Sequence, residues 1–417
     1  MRTREGSEVD PHEHIQKIPE GGITSPRGFQ AAGAYCGIKK DNGVNKDISL
    51  LFSEKPAAAA GTFTQNLYRA APVELCRERL KNPIQAIIIN SGNANACVGS
   101  NGYDDALEMG RQTARKLDVP EDSVLVASTG VIGERLPLDN IRSGIEKVAS
   151  NLNNSQEAGD EAGRGILTTD TAIKKSAYRS TVNGVTFTVG GMAKGSGMIC
   201  PNMATMLAYI TTDLSMDREV LQESLQKAVC HSFNLVTVDG DTSTNDMAVV
   251  LANGASGEVL EKDTSAHEVF YFMLQKVCRD LAYQIAADGE GVNKVISLQI
   301  KGAPNYEDAR TIAQAVLNSL LVKTAIHGED ANWGRILAAM GYSGVNFNPH
   351  KVDLYLGHIK VAASGQGTGF NEEEVLPVLQ GKEVPITIDM NAGPEEILAW
   401  GNDLSHDYVS INADYRS

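Results

Sequence analysis

A glycine-rich segment that leads into an apolar run constrains this chain more than any other part of its sequence. Residues 194–207 read KGSGMICPNMATML, and the glycines in this segment allow positive φ angles and close backbone packing. Pro201 and Asn202 predict a bend, after which Thr205 precedes the apolar run MLAYI. The pattern predicts a loop that delivers a threonine to the start of a buried strand.

Thr205 has two interpretations. Its β-branched side chain suits a strand, so it can be an ordinary structural residue. If the bond between Ala204 and Thr205 is cut, however, Thr205 gains an α-amino group close to its own hydroxyl. Such an amine has a reference pKa of about 7.7–8.0, against about 10.4 for lysine, so much more of it is neutral near pH 7.5. The new amine would then be a good base for activating the threonine hydroxyl.

The charge balance and the apolar patterning of the chain exclude several kinds of partner. Lys and Arg total 37 against 52 Asp and Glu, which gives a formal net charge of −15. This charge disfavours nucleic acid and acidic membrane surfaces, and anionic substrates must be met by local cations. No run approaches the roughly 18–20 apolar residues that span a bilayer, and the N-terminus lacks the apolar core of a secretion signal. We therefore expect a cytoplasmic protein.

Three features suggest metal or thiol chemistry, and each has a simpler interpretation. The six cysteines lack C-x-x-C spacing, which favours reduced thiols over zinc ligation or disulfides. The stretch VDGDTSTNDMAVV has Thr244 and Val250 where a calcium-binding EF-hand loop needs glycine and glutamate, so we predict an Asx-rich turn. Residues 327–335, HGEDANWGR, are interpreted as loop structure. We expect no metal site.

Strands and helices alternate along the chain, which by pattern alone predicts an α/β or α+β fold. The polar residues 1–20 are predicted to be frayed, and residues 21–294 to form a core. The pattern of strands and helices changes at Val295, which suggests a smaller α/β domain at 295–385. A C-terminal tail at 386–417 is predicted to return as a strand. We predict strands at 86–89, 124–126, 185–189, 205–211, 234–239, 295–303, around 352–361 and at 386–390. We predict helices at 104–117, 217–232, 267–287, 308–324 and 336–340.

Several further residues could serve either chemistry or structure alone. Thr129 and Gly130 end a buried strand, where backbone N–H groups can stabilise an oxyanion, although glycine at a strand end is commonly just a turn. Lys194 follows a glycine-rich approach and would ordinarily be solvated. Glu290 follows a long helix at the unfavourable negative pole of its dipole, which is mild support for a functional role. Thr168 is, by its residue type, a strand residue.

The cleavage segment and three other motifs resemble those of the ornithine acetyltransferase family, also called glutamate N-acetyltransferases. Members of that family are cut before the threonine of an MAT-[ML]-L motif, and the similarity extends from about Gly21 to the C-terminus through STG, TTDT and DGEG. The resemblance implies a four-layer α/β/β/α sandwich and cleavage between Ala204 and Thr205. It also implies that no metal or cofactor is needed, and it leaves acetyl-CoA open as a co-substrate.

The same resemblance implies a role for each candidate residue. It makes Thr205 the nucleophile and Thr129 and Gly130 the oxyanion donors. Lys194 would bind the substrate carboxylate, and Glu290 would bind the ammonium of ornithine. The implied substrate contacts as a set are Thr168, Lys194, Thr205, Glu290, Asn412 and Ser417, where Ser417 retains the hydroxyl of the threonine that is usual in the family.

The implied activity is transfer of an acetyl group from N2-acetylornithine to glutamate in arginine biosynthesis, through an acetyl-Thr205 intermediate. The two cleaved chains would stay associated, as a heterotetramer of two alpha and two beta chains. Two alternatives remain open from the sequence. A self-cleaving aminopeptidase or amidase of related fold would pass the acyl group to water. A non-enzymatic binding protein would keep an intact chain of 417 residues.

Overall fold

The computed structural model describes residues 15–40, 43–182, 184–200 and 206–414. Ala204, Thr205 and Ser417 therefore lie outside the described residues. The strands are β1 (Gln16–Lys17), β2 (Phe29–Ala34), β3 (Ile48–Phe63), β4 (Ile84–Asn93), β5 (Val124–Val131), β6 (Lys174–Val182), β7 (Val185–Lys194), β8 (Leu207–Thr212), β9 (Ser215–Met216), β10 (Met247–Ala252), β11 (Val259–Leu260), β12 (Val295–Ala303), β13 (Asp353–Leu356), β14 (Ile359–Ala363), β15 (Gln366–Gly367), β16 (Glu383–Asp389) and β17 (Glu395–Asn402). The helices are α1 (Ala71–Arg79), α2 (Ser100–Leu117), α3 (Leu138–Ser150), α4 (Gln156–Gly165), α5 (Arg218–Cys230), α6 (Ser265–Ala287), α7 (Tyr306–Leu317), α8 (Leu320–His327), α9 (Trp333–Gly341), α10 (Glu372–Leu379) and α11 (His406–Asp414).

Strand β3 joins two groups of strands. Its residues 48–53 pair with β2, and residues 48–52 also pair with β4, whereas residues 58–63 pair with β10. The strand order is β1-β6-β7-β8-β10-β3-β4-β5, with β2 also pairing with β3. Two neighbouring pairs are parallel, β8 with β10 and β4 with β5, which places the ends of β4 and β5 side by side.

The strands on both sides of β3 are buried on both faces. Val249 of β10 and Ile87 of β4 belong to the same apolar cluster, which lies between the two groups of strands. The next residue on β10, Val250, packs into a cluster with α5 and α6, and Ile88 of β4 packs into one with α2 and α3. This alternation is the period of two expected for strands, because successive side chains point to opposite faces. The fold is a mixed α/β fold with several sheets.

A second sheet holds the C-terminal part of the chain. Its strand order is β15-β14-β13-β16-β12-β17, and its apolar cluster includes residues of α7 and α9. Strand β12 pairs in parallel with β16 and antiparallel with β17. The sheet that includes β12 therefore continues past residue 385 to Asn402, because both neighbours of β12 come after residue 382.

Two predicted elements are wrong, and a third is only partly right. The single helix predicted at 308–324 is two helices, because Ser319 begins α8 by accepting a hydrogen bond from the Val322 N–H group. Residues 234–239 do not form a strand but continue a 3₁₀ turn at Phe233–Leu235 into irregular backbone. The tail forms β17, as expected, but then turns into α11, so Asn412 lies on a helix.

The first twenty residues, predicted to be frayed, are described only from residue 15 onwards. Gln16 and Lys17 form strand β1, which pairs antiparallel with Arg179 and Tyr178 of β6. These two residues are therefore part of the edge of the first sheet, where backbone pairing with β6 offsets the ordering cost of a polar segment.

The structure bears on the expectations for the cysteines and for membrane-spanning segments. All six cysteines are free thiols, and three of them, Cys36, Cys76 and Cys278, are buried. Burial raises the pKa of Cys36 and Cys278, which keeps both as neutral thiols. No helix within residues 15–414, leaving aside the gaps given above, is both long enough and apolar enough to cross a membrane.

Candidate active site

A cavity of about 320 Å³ opens where β5 and β7 end. Six of the predicted site residues line it, and they come from widely separated parts of the chain: Thr129, Gly130, Thr168, Lys194, Glu290 and Asn412. The other three, Ala204, Thr205 and Ser417, lie outside the described residues, and their places in the site stay predictions.

Gly130 lies in a backbone conformation and a space that only glycine fits. Its φ is +130°, and a Cβ atom there would come within 2.4 Å of the carbonyl carbon of Gly92 and 2.6 Å of the backbone nitrogen of Asn93. Asn245 fixes the same strand end from the other side, because its side-chain amide donates to the Ser128 carbonyl oxygen at 2.8 Å. The backbone at Thr129 and Gly130 is therefore held rigidly at the cavity wall.

Lys194 is the last residue of β7 and is only 4% exposed, so the interpretation as a solvated loop lysine is wrong. Its ammonium donates to the Thr129 hydroxyl at 3.2 Å, and no carboxylate of a described residue lies within ion-pairing distance of it. Burial lowers the pKa of Lys194, and the charge of Asp170 opposes this effect. An ammonium has three N–H donors, so Lys194 has donors available for an anion in the cavity.

Glu290 and Asn412 meet on the other side of the cavity. The Asn412 side-chain amide donates to Glu290 Oε2 at 2.8 Å, and the backbone N–H of Glu290 donates to the Ser196 carbonyl oxygen at 3.0 Å. Gly197 lies against the same carboxylate, since a Cβ on Gly197 would lie 2.4 Å from Glu290 Oε2. Glu290 is only 9% exposed. The carboxylate is therefore enclosed by a glycine and by helix α11.

Thr168 lies in irregular backbone between α4 and β6, so the interpretation as a strand residue is wrong. Its backbone N–H donates to Asp170 Oδ2 at 3.0 Å, which closes a local turn between the two residues. The Asp170 carboxylate also accepts from the Gly195 N–H at 2.7 Å and from the Lys174 ammonium at 2.7 Å. Asp170 thus connects the Thr168 loop to the end of β7.

The sequence interpretation missed one wall of the cavity. It is lined, between the predicted site residues, by Asp241, Ser243, Thr244 and Asn245, although VDGDTSTNDM was interpreted as only an Asx-rich turn. The residue that follows, Asp246, is buried; burial raises its pKa well above the usual range, and the Lys194 ammonium opposes that shift. The sequence did contain a signal for this wall, namely the many Asp, Ser, Thr and Asn residues in one short stretch. So many polar side chains in a buried turn indicate a functional site.

The side chains of His327 and Glu329, in the HGEDANWGR segment, have separate partners. His327 Nδ1 lies 2.7 Å from Asp403 Oδ2, and the Lys294 ammonium lies 3.0 Å from Glu329 Oε1. Among the residues that the structure describes, no group of three or more His, Cys, Asp or Glu side chains is arranged to hold a metal ion. These side chains form ion pairs and hydrogen bonds within the C-terminal part of the chain.

Comparison with known proteins places this chain in a family. A model of the ArgJ family matches residues 30–417. The chain belongs to the ArgJ family. The arginine biosynthesis bifunctional protein ArgJ of Symbiobacterium thermophilum is 51% identical over 399 residues, which cover 95% of this chain and 99% of that protein. The Thermotoga neapolitana protein of the same name is 48% identical over 400 residues, 94% of this chain and 99% of that protein.

Solved structures of ArgJ family proteins match part of this chain. An ArgJ structure from Bacillus halodurans is 44% identical, with a TM-score of 0.43, over 46% of this chain and 98% of that one. An ornithine acetyltransferase from Mycobacterium tuberculosis, solved with ornithine, is 38% identical, with a TM-score of 0.42, over 45% of this chain and 98% of that one. The prediction of an acyltransferase of arginine biosynthesis is confirmed by the family.

Proposed function

We propose that this chain transfers the acetyl group of N2-acetylornithine to glutamate through an acetyl ester on Thr205, after cleavage between Ala204 and Thr205. The observation that carries the proposal is the cavity. A rigid strand end, a buried ammonium without a carboxylate partner among the described residues and an enclosed carboxylate all line it, in a member of the ArgJ family. The M. tuberculosis relative was solved with ornithine, one of the proposed products.

Each half-reaction uses the same groups. The Thr205 hydroxyl oxygen attacks the acetyl carbonyl carbon while the Thr205 α-amine accepts the hydroxyl proton, and backbone N–H groups at Thr129 and Gly130 stabilise the oxyanion. The proton passes to the departing nitrogen of ornithine as the amide bond breaks. The glutamate amine then attacks the ester and restores the Thr205 hydroxyl. Connectivity supports this placement, because Leu207, two residues after Thr205, pairs with Lys194 in the cavity wall.

The charges in the cavity favour a transferase over a hydrolase. Glutamate and acetylornithine both carry a carboxylate that suits the Lys194 ammonium, and ornithine carries an ammonium that suits the Glu290 carboxylate. A hydrolase that passes the acyl group to water has no need to recognise an acidic acceptor. We therefore assign Lys194, Glu290, Thr168 and Asn412 to substrate binding, and Ser417 to the same site on the resemblance alone.

The acetyl intermediate can be detected by mass. Incubation with acetylornithine alone is expected to add one acetyl group, about 42 Da, to the fragment that begins at Thr205, with a burst of ornithine. Glutamate should then discharge the adduct. We propose acetyl-CoA as a further donor, and it should give the same adduct when it replaces acetylornithine. Absence of any adduct under rapid quench, with intersecting rather than parallel double-reciprocal lines, would show direct transfer in a ternary complex instead.

Substitution of Lys194 by methionine is expected to weaken both half-reactions. A charge-assisted hydrogen bond contributes about 1.5–3 kcal/mol, so kcat/KM should fall by roughly 10- to 150-fold for both substrates. Steady-state kinetics measures the effect, and a denaturing gel confirms that the variant is cleaved like the wild type. Unchanged kinetics in a fully cleaved variant would remove Lys194 from the site.

We also propose the finer architecture and assembly. The apolar clusters on either side of β4 and β10 support a four-layer α/β/β/α sandwich, with α5 and α6 outside the group of strands around β10 and α2 and α3 outside the group around β4. The two cleaved chains would form a heterotetramer of two alpha and two beta chains in the cytoplasm, without nucleic acid or membrane partners. Sedimentation equilibrium of the purified protein measures the assembly directly.

A further inference from the structure

Three charged side chains form a buried ion cluster beneath the cavity: Asp170, Lys174 and Asp288. The Lys174 ammonium lies 2.7 Å from Asp170 Oδ1 and 2.6 Å from Asp288 Oδ2, and Lys174 is only 1% exposed. Burying three charges costs desolvation energy that their mutual attraction only partly offsets, so such a cluster is a poor source of stability alone. A positional role is the better explanation for it.

The ion cluster connects three segments of the cavity wall. Asp170 accepts hydrogen bonds from the backbone N–H groups of Thr168 and Gly195. Asp288 accepts from the Thr171 and Ala172 N–H groups and lies two residues before Glu290. The Ser196 hydroxyl donates to the Asp288 carbonyl oxygen at 2.7 Å. These bonds fix the loop at 168–172 and the segment at 288–290 to the residues that follow Lys194.

The cluster also determines which cation Asp170 pairs with. The Asp170 side chain is fully buried, and its Oδ1 accepts from both the Lys174 ammonium and the Gly195 N–H. Burial by itself would raise the pKa of Asp170, but Lys174 and then Lys194 hold it below its usual range. Lys194, which precedes Gly195, is the other cation whose charge acts on Asp170. In the structure it donates to Thr129 instead.

We propose that Lys174 is a positioning residue: by pairing with Asp170 and Asp288 it keeps the Asp170 carboxylate from capturing Lys194, so that the Lys194 ammonium stays free for a substrate carboxylate. This role rests on the proposed function of Lys194. Without Lys174, the Asp170 carboxylate lacks its ion partner, accepts from Lys194 and competes with the substrate for the same N–H donors. Asp170 would then act as an internal inhibitor of the site.

The test compares two substitutions with opposite expected results. Lys174→Met should raise the calorimetric dissociation constant of glutamate about tenfold or more, because one charge-assisted hydrogen bond is lost to Asp170. Its KM should rise with it, while kcat changes much less. Asp170→Asn removes the competing charge and keeps one acceptor oxygen, which can accept from the Gly195 N–H, and it should bind glutamate at least as tightly as the wild type. The double variant K174M/D170N should recover the affinity lost in K174M.

Lys175 provides the matched control. It is the next lysine on β6, but it pairs with Asp160 at 2.7 Å and Glu20 at 3.1 Å, neither of which lines the cavity. Lys175→Met should bind glutamate like the wild type. If K174M is too unstable to purify, D170N and the double variant K174M/D170N still test the positioning role. A purely structural cluster predicts weaker glutamate binding in both of these variants.

The outcomes separate this proposal from the function on which it rests. The positioning role is overturned if K174M binds glutamate as tightly as the wild type, or if the double variant binds it as weakly as K174M. The proposed role of Lys194 still stands in that case, provided that K194M binds glutamate weakly. If the wild type itself binds glutamate no better than K194M, the proposed role of Lys194 fails, and the role of Lys174 fails with it.

Discussion

Substitution of Thr205 by alanine is expected to leave a single chain of 417 residues and to abolish acetyl transfer. The wild-type chain should instead give fragments of 204 and 213 residues, since 417 minus 204 is 213. Alanine has no hydroxyl to attack the preceding carbonyl during cleavage or the acetyl group during catalysis, so both reactions lose their nucleophile. Intact-mass spectrometry measures the fragments, and release of ornithine from acetylornithine measures the transfer.

Thr205→Ser is the matched control, because serine keeps both the hydroxyl and, after cleavage, the α-amine. It should still be cleaved and should retain a measurable part of the activity. A wild-type preparation that is fully active as one uncut chain would contradict the N-terminal nucleophile and would require a different base for Thr205.

Substitution of Gly130 by alanine is expected to lower kcat by about 10²–10³-fold, the usual cost of losing one oxyanion donor. The new Cβ would collide with the backbone at Gly92 and Asn93, so the strand end must move away from its position in the wall. An interaction made mainly in the transition state is lost, so KM should change much less than kcat.

Gly133→Ala separates this effect from backbone strain. Gly133 also has a positive φ, +85°, but a Cβ there meets no atom within 4 Å. Both variants therefore strain the backbone, and only Gly130→Ala displaces the wall of the cavity. Equal kinetics in the two variants, each folded and cleaved, would show that Gly130 holds no oxyanion donor.

Local pattern predicted the elements that carry the site. The alternation of Val185, Phe187 and Val189 gave β7, and the apolar stripe at 267–287 gave α6, because burial periodicity is a property of neighbouring residues. The break between α7 and α8 was missed although Ser319 offered a local capping signal, since the apolar spacing continues across it. The motifs, through their family resemblance, supplied the candidate residues.

Pairings between distant residues could not be predicted from one sequence. Lys174 and Asp288 are 114 positions apart, and Asn412 and Glu290 are 122 apart, so no local spacing connects either pair. The burial of Lys194 was missed for the same reason, because its surroundings are assembled from strands and loops far along the chain. Composition showed only that a cation was needed, given the net charge of −15.

The order of the strands has a consequence for how the protein can be recovered after denaturation. Strands β8 and β10, which follow Thr205, lie between β7 and β3, which precede it. Once the chain is cut, the two pieces are interleaved within one sheet, and their reassembly becomes a second-order process. Thermal unfolding of the cut protein should then depend on its concentration, whereas an uncut Thr205→Ala protomer should refold on its own at any dilution.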